Sequence, residues 1–479
     1  MNLNKLGAHN SAINPAQHMK KYLRLLLSAI KGYEQNYTEG SINRAIFMLS
    51  VPMILEMVME SLFAVVDVFF VSKIGTDAVA TVGLTESVLT LLYAVAIGLG
   101  AAATATVARR VGEGNPTEAG KAVAQVIMIS VVFGVIIAIL GATFAENILQ
   151  FMGATDSIVQ SGKGFTRLIF LSSPAIMLLY TLSGALRGAG NASVAMQSLT
   201  IANIINIVLC PMFIFGVGPF PEMGVAGSAV ATTIGRSVGV LYQLNALTNG
   251  KNIVTALKRQ FIPDPVVVRG LLSVAAGGTG QFLISSASWV FLARILATFG
   301  SEVVAGYTIA VRIIIFTILP SWGMANAAAT LVGQNLGANK PDRAEASVWR
   351  AALLNMVFLV LVGILFFIFS ENIISWFNPN PVSVKTGVEC LRIFCVGYVF
   401  FAYGMVMVQA FNGAGDTRTP TILNLICFWA TEIPLAYFLA KYLGYGPTGV
   451  FVAIAISESL LAILAVIMFR RGRWKTTKV

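Results

Sequence analysis

"VPMILEMVMESLFAVVDVFF", residues 51–70, decides how this chain is read. About 20 mostly apolar residues in a helix rise ~30 Å, the thickness of a bilayer's hydrocarbon core. Yet Glu56, Glu60 and Asp67 lie inside the run. A carboxylate at the middle of a membrane helix costs ~2.5–3.5 kcal/mol on insertion scales, so such residues face a bundle interior or a watery cavity. At about 100° per residue, Glu60 projects ~40° from Glu56, and Asp67 falls ~20° short of two turns beyond Glu60. The three acids share one narrow face, and the other faces are oily. An acid so placed binds and releases a proton or, with oxygen ligands around it, holds Na⁺; the plain alternative is that it bridges helices. Asp67 is the first candidate, then Glu60, then Glu56, which lies nearer the inner side.

Composition extends this reading to the whole chain. The 479 residues are 57% hydrophobic and 11% charged, against about 25% charged in a typical soluble domain. Apolar runs of spanning length recur throughout, and helices satisfy every backbone hydrogen bond internally in lipid. An all-α membrane protein without a sizeable soluble domain is expected. The four cysteines, Cys210, Cys390, Cys395 and Cys427, lie in apolar runs without metal or disulfide spacing and read as small buried hydrophobes. The histidines, His9 and His18, are in the amino-terminal tail, which excludes histidine chemistry in the membrane. No Gly-rich nucleotide loop, metal-ligand cluster or nucleophile–His pair appears, so neither an enzyme nor an ATP-driven pump is expected. No cofactor is expected beyond H⁺ or Na⁺ as a coupling ion.

The net charge of +11 does not point to nucleic acid. Residues 1–44 carry Lys5, Lys20, Lys21, Arg24, Lys31 and Arg44 against Glu34 and Glu39, and "RRGRWKTTKV" (470–479) carries five basic residues and no acid. Positive charge concentrates on cytoplasmic segments. Both termini are expected in the cytoplasm, with an even number of spans between them. A bacterial inner membrane is the expected location, and the first apolar run is set too far from the start for a cleavable leader.

Twelve spans follow from hydropathy and turn residues: 44–72, 78–108, 121–144, 158–184, 193–216, 225–248, 268–296, 303–333, 346–370, 384–411, 420–443 and 448–470. A shift of 225 residues superimposes the halves. "VGEGNPTEA" (111–119) meets "LGANKPDRA" (336–344), "ENI" (146–148) meets "ENI" (371–373), and "GAGN" (188–191) meets "GAGD" (413–416). Each half holds six spans and inserts the same way up, so a pseudo-twofold axis along the membrane normal relates them, as in parallel-repeat transporters. The expected units are a cytoplasmic tail (1–43), an N-lobe (44–248), a cytoplasmic linker (249–267), a C-lobe (268–470) and a basic tail (471–479). Within the first tail, Leu23, Leu26, Leu27 and Ile30 repeat with helical spacing among Lys20, Lys21, Arg24 and Lys31. That pattern fits a helix lying on an anionic leaflet or a solvated tail.

Other polar residues fall inside spans. "ANIINIVLCP" (202–211) places Asn203, Asn206 and Cys210 in the fifth, with Asn206 and Cys210 one turn apart; membrane amides more often join helices than bind ligands. Glu432, Glu458, Arg236, Arg294 and Arg312 lie within or near spans, and sequence alone does not pair them. Pro52, Pro174, Pro211, Pro320 and Pro434 mark helix starts or kinks. Asn203, Phe63 and Arg312 are further candidates, with Glu56, for a cavity wall.

The 6+6 repeat, "FAVVDVFFVSKIGTDAVATVGL" (63–84), "VARRVGEGNP" with its echo "LVGQNLGANKP", "ALRGAGN" with "AFNGAGD", and "NIVLCPMFIFG" followed by "GVAGSAVAT" together resemble the MATE (multidrug and toxic compound extrusion) family over about residues 40–470. The resemblance implies two six-helix lobes around a central cleft, and a rocker-switch antiporter that exports organic, often cationic, compounds in exchange for H⁺ or Na⁺. It places the family's first-helix coupling aspartate at Asp67 and a polar position, usually an amide, at Glu60. The family's fifth-helix "N-x-x-x-D" falls on Asn206 and Cys210, so the second acid is missing, and the sixth-helix threonine falls on Thr232. Acids that other branches carry in the C-lobe fall near Ser285 and Phe401, neither acidic. Asp67 and Asn206 would be the core of any Na⁺ site, but a neutral thiol at 210 suits a hard cation poorly, which favours protons with Glu60 assisting Asp67. Two alternatives stand: a lipid-linked precursor flippase of the same superfamily, and a channel or scaffold. The flippase would need basic groups for pyrophosphate, which Arg236, Arg294 and Arg312 offer. The expected partners are small organic substrates and the lipid bilayer, with no nucleic acid and no ATP, and the chain is expected to act as a monomer.

Overall fold

The computed structural model describes residues 15–32, 36–250 and 254–477, with side chains of the first helix from Leu23 onward. The readings placed on His9, His18, Lys5, Lys20, Lys21 and Glu34 lie outside the described side chains. Among the described residues the chain is helical and has no strand. The first half comprises α1 (Pro15–Lys31), α2 (Ile42–Val71), α3 (Thr76–Gly112), α4 (Pro116–Thr143), α5 (Ala145–Phe151), α6 (Asp156–Leu171), α7 (Ser173–Gly188), α8 (Ala192–Phe215) and α9 (Val225–Thr248). The second half comprises α10 (Pro265–Ala297), α11 (Ser301–Gly337), α12 (Pro341–Phe377), α13 (Pro381–Ala414), α14 (Arg418–Asn424), α15 (Ile433–Tyr437) and α16 (Gly446–Arg470).

Nine of these rods among the described residues are long and apolar enough to cross a membrane, one of them running from α14 to Tyr442, and the bent pair α6–α7 makes ten. Helices α2 and α9, which carry the acids and Arg236, also have spanning length, and with them the rods number twelve. The repeat is visible in the helix ends. Ser301–Gly337 reproduces Thr76–Gly112 at the 225-residue offset, and α12 starts at Pro341 as α4 starts at Pro116. Both prolines occupy the first helical turn, where a missing N–H costs nothing. Asn115, Asp264 and Asn380 cap α4, α10 and α13 by accepting backbone N–H groups.

Two expected spans are not simple rods. The fourth is broken between α6 and α7 with a 42° bend. Pro174, in the first turn of α7, cannot donate back to the end of α6. The eleventh is wound π-helically over Leu425–Glu432 and Phe438–Tyr442, with α15 between. Pro52, Pro211 and Pro320 lie within continuous helices.

Helices α3, α4, α6, α7, α8 and α9 pack into one lobe, and α11, α12, α13 and α16 form the heart of the other. Helix α2 runs between them, its first half against α11 and its length against α8. The cross-lobe contacts lie in the half of the bundle that carries Arg109, Arg110 and both terminal segments. Gly112 faces the Gln334 carbonyl and Gly337 faces that of Arg109 with no room for a Cβ; these two glycines are repeat mates. Gln334 donates to the Gly188 carbonyl at 3.1 Å, and Thr330 to that of Arg187 at 3.1 Å. Terminal segments reinforce this basic end. Tyr37 N–H donates to Gln334 Oε1 at 3.0 Å, Arg343 donates to the Tyr37, Glu39 and Gly40 carbonyls, and Arg109 reaches the Thr477 carbonyl. Helix α1 is tied to α8, with Ser193 and Gln197 donating to the Ala29 and Ile30 carbonyls. Its Leu23, Leu26 and Leu27 remain exposed.

The stretch between α9 and α10 is held to α4 by Gln125. Its amide donates to the Gln260 and Ile262 carbonyls at 3.0 and 2.8 Å and accepts from Asp264 N–H at 3.1 Å. Lys121 pairs with Asp264 at 2.5 Å. The cysteines are free, with Cys210, Cys390 and Cys427 buried and Cys395 half-buried.

Candidate functional site

Asp67 is half-buried on α2, turned toward α8 and α9 while its neighbours Val65, Val68 and Phe69 are exposed. Three side chains meet its carboxylate. Thr232 donates to Oδ2 at 3.0 Å, Asn206 Nδ2 to Oδ1 at 3.2 Å, and Cys210 Sγ lies 3.9 Å from Oδ1. Asn206 Nδ2 also reaches Thr232 Oγ1 at 3.1 Å. Thus Asp67, Asn206, Cys210 and Thr232, from three helices, form one cluster. No described Lys or Arg makes an ion pair with Asp67. The buried Asn206 Oδ1 has no partner. Asp67 Oδ1 and Oδ2, Thr232 Oγ1 and, after an amide flip, Asn206 Oδ1 are the oxygens a cation could use. They are few for Na⁺, and no group of three acids, cysteines or histidines suited to a metal occurs among the described residues.

Glu60 and Glu56 have other surroundings. Both line a cavity of about 170 Å³ between the lobes, shared with Tyr180, Arg187, Trp322 and Gln409. Tyr180 donates to Glu60 Oε1 at 2.7 Å, and Arg187 pairs with Glu56 Oε1 at 2.8 Å. The shared face predicted for the three acids therefore serves two places, the cleft for the glutamates and the lobe interior for Asp67. Arg236 stands between. It is 7% exposed, donates to Tyr93 Oη at 3.0 Å, and lies over the Phe63 and Tyr93 rings at 5.0 and 5.7 Å. It is within electrostatic reach of both Asp67 and Glu60. Tyr93 and Tyr180 meet edge to face at 5.7 Å, so the partners of Arg236 and of Glu60 pack against each other between the cleft and Asp67.

Two expected wall residues are placed otherwise. Asn203 donates to the Met59 and Leu199 carbonyls at 3.0 and 2.9 Å and joins α2 to α8, as an amide surrounded by apolar helices must find partners. Phe63 is buried beneath Arg236. Arg312 is exposed on the face of α11 that also carries Leu319 and Asn326 of the cleft wall. Sequence reasoning did not single out Tyr93, Tyr180 or Arg187. Tyrosines among apolar residues carry no positional signal, and Arg187 lay in a loop motif whose partner is 131 residues away.

The sequence pattern of the MatE family matches residues 52–212 and 279–438. A probable multidrug resistance protein, NorM, of Thermotoga maritima is 27% identical over 94% of this chain and 97% of its own length. An FAD transporter of Shewanella oneidensis is 23% identical over 90% of this chain and 95% of its own. The structure superposes with TM-score 0.85 and 27% identity on an outward-facing multidrug resistance MATE family transporter of the MOP superfamily, covering 91% of this chain and 98% of that one.

Proposed function

The chain belongs to the MatE family, and from that premise we propose that it is a multidrug efflux antiporter, exporting small organic and often cationic compounds in exchange for protons. The observation that carries the coupling is Asp67, held by hydroxyl, amide and thiol and free of any ion pair among the described residues. An acid locked to arginine is fixed in charge, whereas one held by neutral groups takes and gives a proton as its surroundings open and close to water. The sparse oxygen set and the thiol at 210 favour H⁺ over Na⁺ as the transported ion. The Tyr180–Glu60 contact and Arg236 offer a link from the cleft to Asp67, and this is the assisting role assigned to Glu60. Contact at the basic end, taken as cytoplasmic, supports rocking of the lobes about a closed inner side. The protein acts as a monomer in a bacterial inner membrane, with both termini inside and no ATP.

Export of drug-like compounds accords with the multidrug resistance ascribed to the Thermotoga relative. The flippase reading has less support, because the cleft's Arg187 is already paired with Glu56. Arg236 is the observation that favours an anionic cargo. Purified protein in liposomes tests the proposal: a pH gradient should drive export of a cationic dye, and Asp67→Asn should abolish it while expression stays intact. Full export driven by a Na⁺ gradient without a pH gradient, or normal export by the Asn variant, refutes the proton assignment.

A further inference from the structure

On the C-lobe side the cleft continues into a second cavity of about 250 Å³, which shares Trp322, Gln409 and Asn412 with the first. Its far wall holds Glu458 of α16, Asn424 of α14, and the rings of Phe282 and Phe428. Glu458 has no ion pair among the described residues. The titratable groups within its electrostatic reach are Glu432 and Cys427, and neither can neutralise it. Glu432 is 2% exposed and its Oε2 has no partner. Asn424 is 7% exposed, lines the cavity, and its Oδ1 likewise has no partner. Buried acceptors without donors are unusual in folded proteins and call for an explanation such as an unseen ligand.

We propose that this C-lobe cavity is a binding site for a lipophilic monocation, with Glu458 as its counter-ion, Asn424 Oδ1 as a supporting acceptor and Trp322, Phe282 and Phe428 as its aromatic walls. The cleft's Glu56 is neutralised by Arg187 at 2.8 Å, whereas Glu458 meets its cavity with no cationic partner among the described residues and so can receive a cation. Aromatic faces attract cations, more strongly when water is excluded, and an organic cation needs the ring contacts that a bare metal ion does not use. Cargo charge is thus read on α16 in one lobe, and the coupling proton is held on α2 in the other.

This inference rests on the efflux reading but is tested without a gradient. Tetraphenylphosphonium binding to the purified full-length protein in detergent is measured for the wild type and variants. Glu458→Gln should weaken binding by roughly tenfold or more, Glu458→Asp should recover part of it, and Glu371→Gln, which removes an exposed acid of α12 away from the cavity, should bind as the wild type does. Unchanged binding by Glu458→Gln, an equal loss with Glu371→Gln, or no binding by the wild type overturns the assignment. If Glu458→Gln does not fold, Val408→Phe, which narrows the same cavity, decides: it should weaken binding equally, and wild-type affinity refutes the site. Failure of Asp67 to couple export would leave these binding results standing, so the two readings fail separately.

Discussion

Thr232 donates its hydroxyl proton to Asp67 Oδ2 at 3.0 Å while its oxygen lies 3.1 Å from Asn206 Nδ2, so one side chain of α9 orients the acid of α2 against the amide of α8. Thr232→Val keeps the shape and removes the donor. It should slow gradient-driven dye export several-fold, and Thr232→Ser should restore it. Equal rates for Val and Ser would mean that the hydroxyl does not position Asp67.

Arg187 and Glu56 form a buried pair at the closed side of the cleft. Removing one member of such a pair strands the other charge and costs ~3–5 kcal/mol, whereas replacing both with neutral groups is far less damaging. Arg187→Gln and Glu56→Gln should each lower the melting temperature in detergent more than the double variant does. Additive losses in a double-mutant cycle would show that the two groups are not coupled.

Gly112 and Gly337 allow α3 and α11 to cross with backbone against backbone. A larger residue has nowhere to go at either position, and overpacking typically costs ~1–3 kcal/mol. Gly337→Val should wedge the basic end open. A cysteine placed there, inert to a water-soluble thiol reagent in the parent protein, should become reactive, and export should fall. Continued inertness of that cysteine would contradict a closed, glycine-dependent contact.

Asp264 begins α10, and the Lys121 ammonium beside it, with the Val267 and Val266 backbone N–H groups, holds its carboxyl below the ordinary aspartate range. A depressed native value stabilises the fold fully above the unfolded aspartate value of about 3.9, and that contribution fades as the pH drops from there through the native value. The melting-temperature gap between wild type and Asp264→Asn should therefore be constant near neutral pH and shrink below about pH 4 to 5. A gap that widens on acidification would reverse the sign and refute the assignment.

Asp67 shows how much of the site was legible. Its place on an acidic helix face follows from spacing alone, and the resemblance supplied Asn206, Cys210 and Thr232, which do meet it. Glu458 shows the opposite case. It was visible as a charge in the last span, but nothing local reveals that it faces a cavity with Asn424, 34 residues earlier in the chain, or that Glu56 is already taken by Arg187. Asn203 looked like a wall residue and instead bonds two backbone carbonyls. An amide's neighbours in sequence do not tell it which helix will lie alongside.

The sequence by itself determined the spans, their doubling at an offset of 225 residues and the polar stripe on α2. Each of these is a matter of periodicity and transfer free energy along a single helix. Only the tertiary structure decided which charges are neutralised, which cavity each acid faces and which end of the bundle is closed. Those outcomes depend on side chains from remote helices competing for the same few polar partners where water cannot reach, and that competition is settled only when the helices pack.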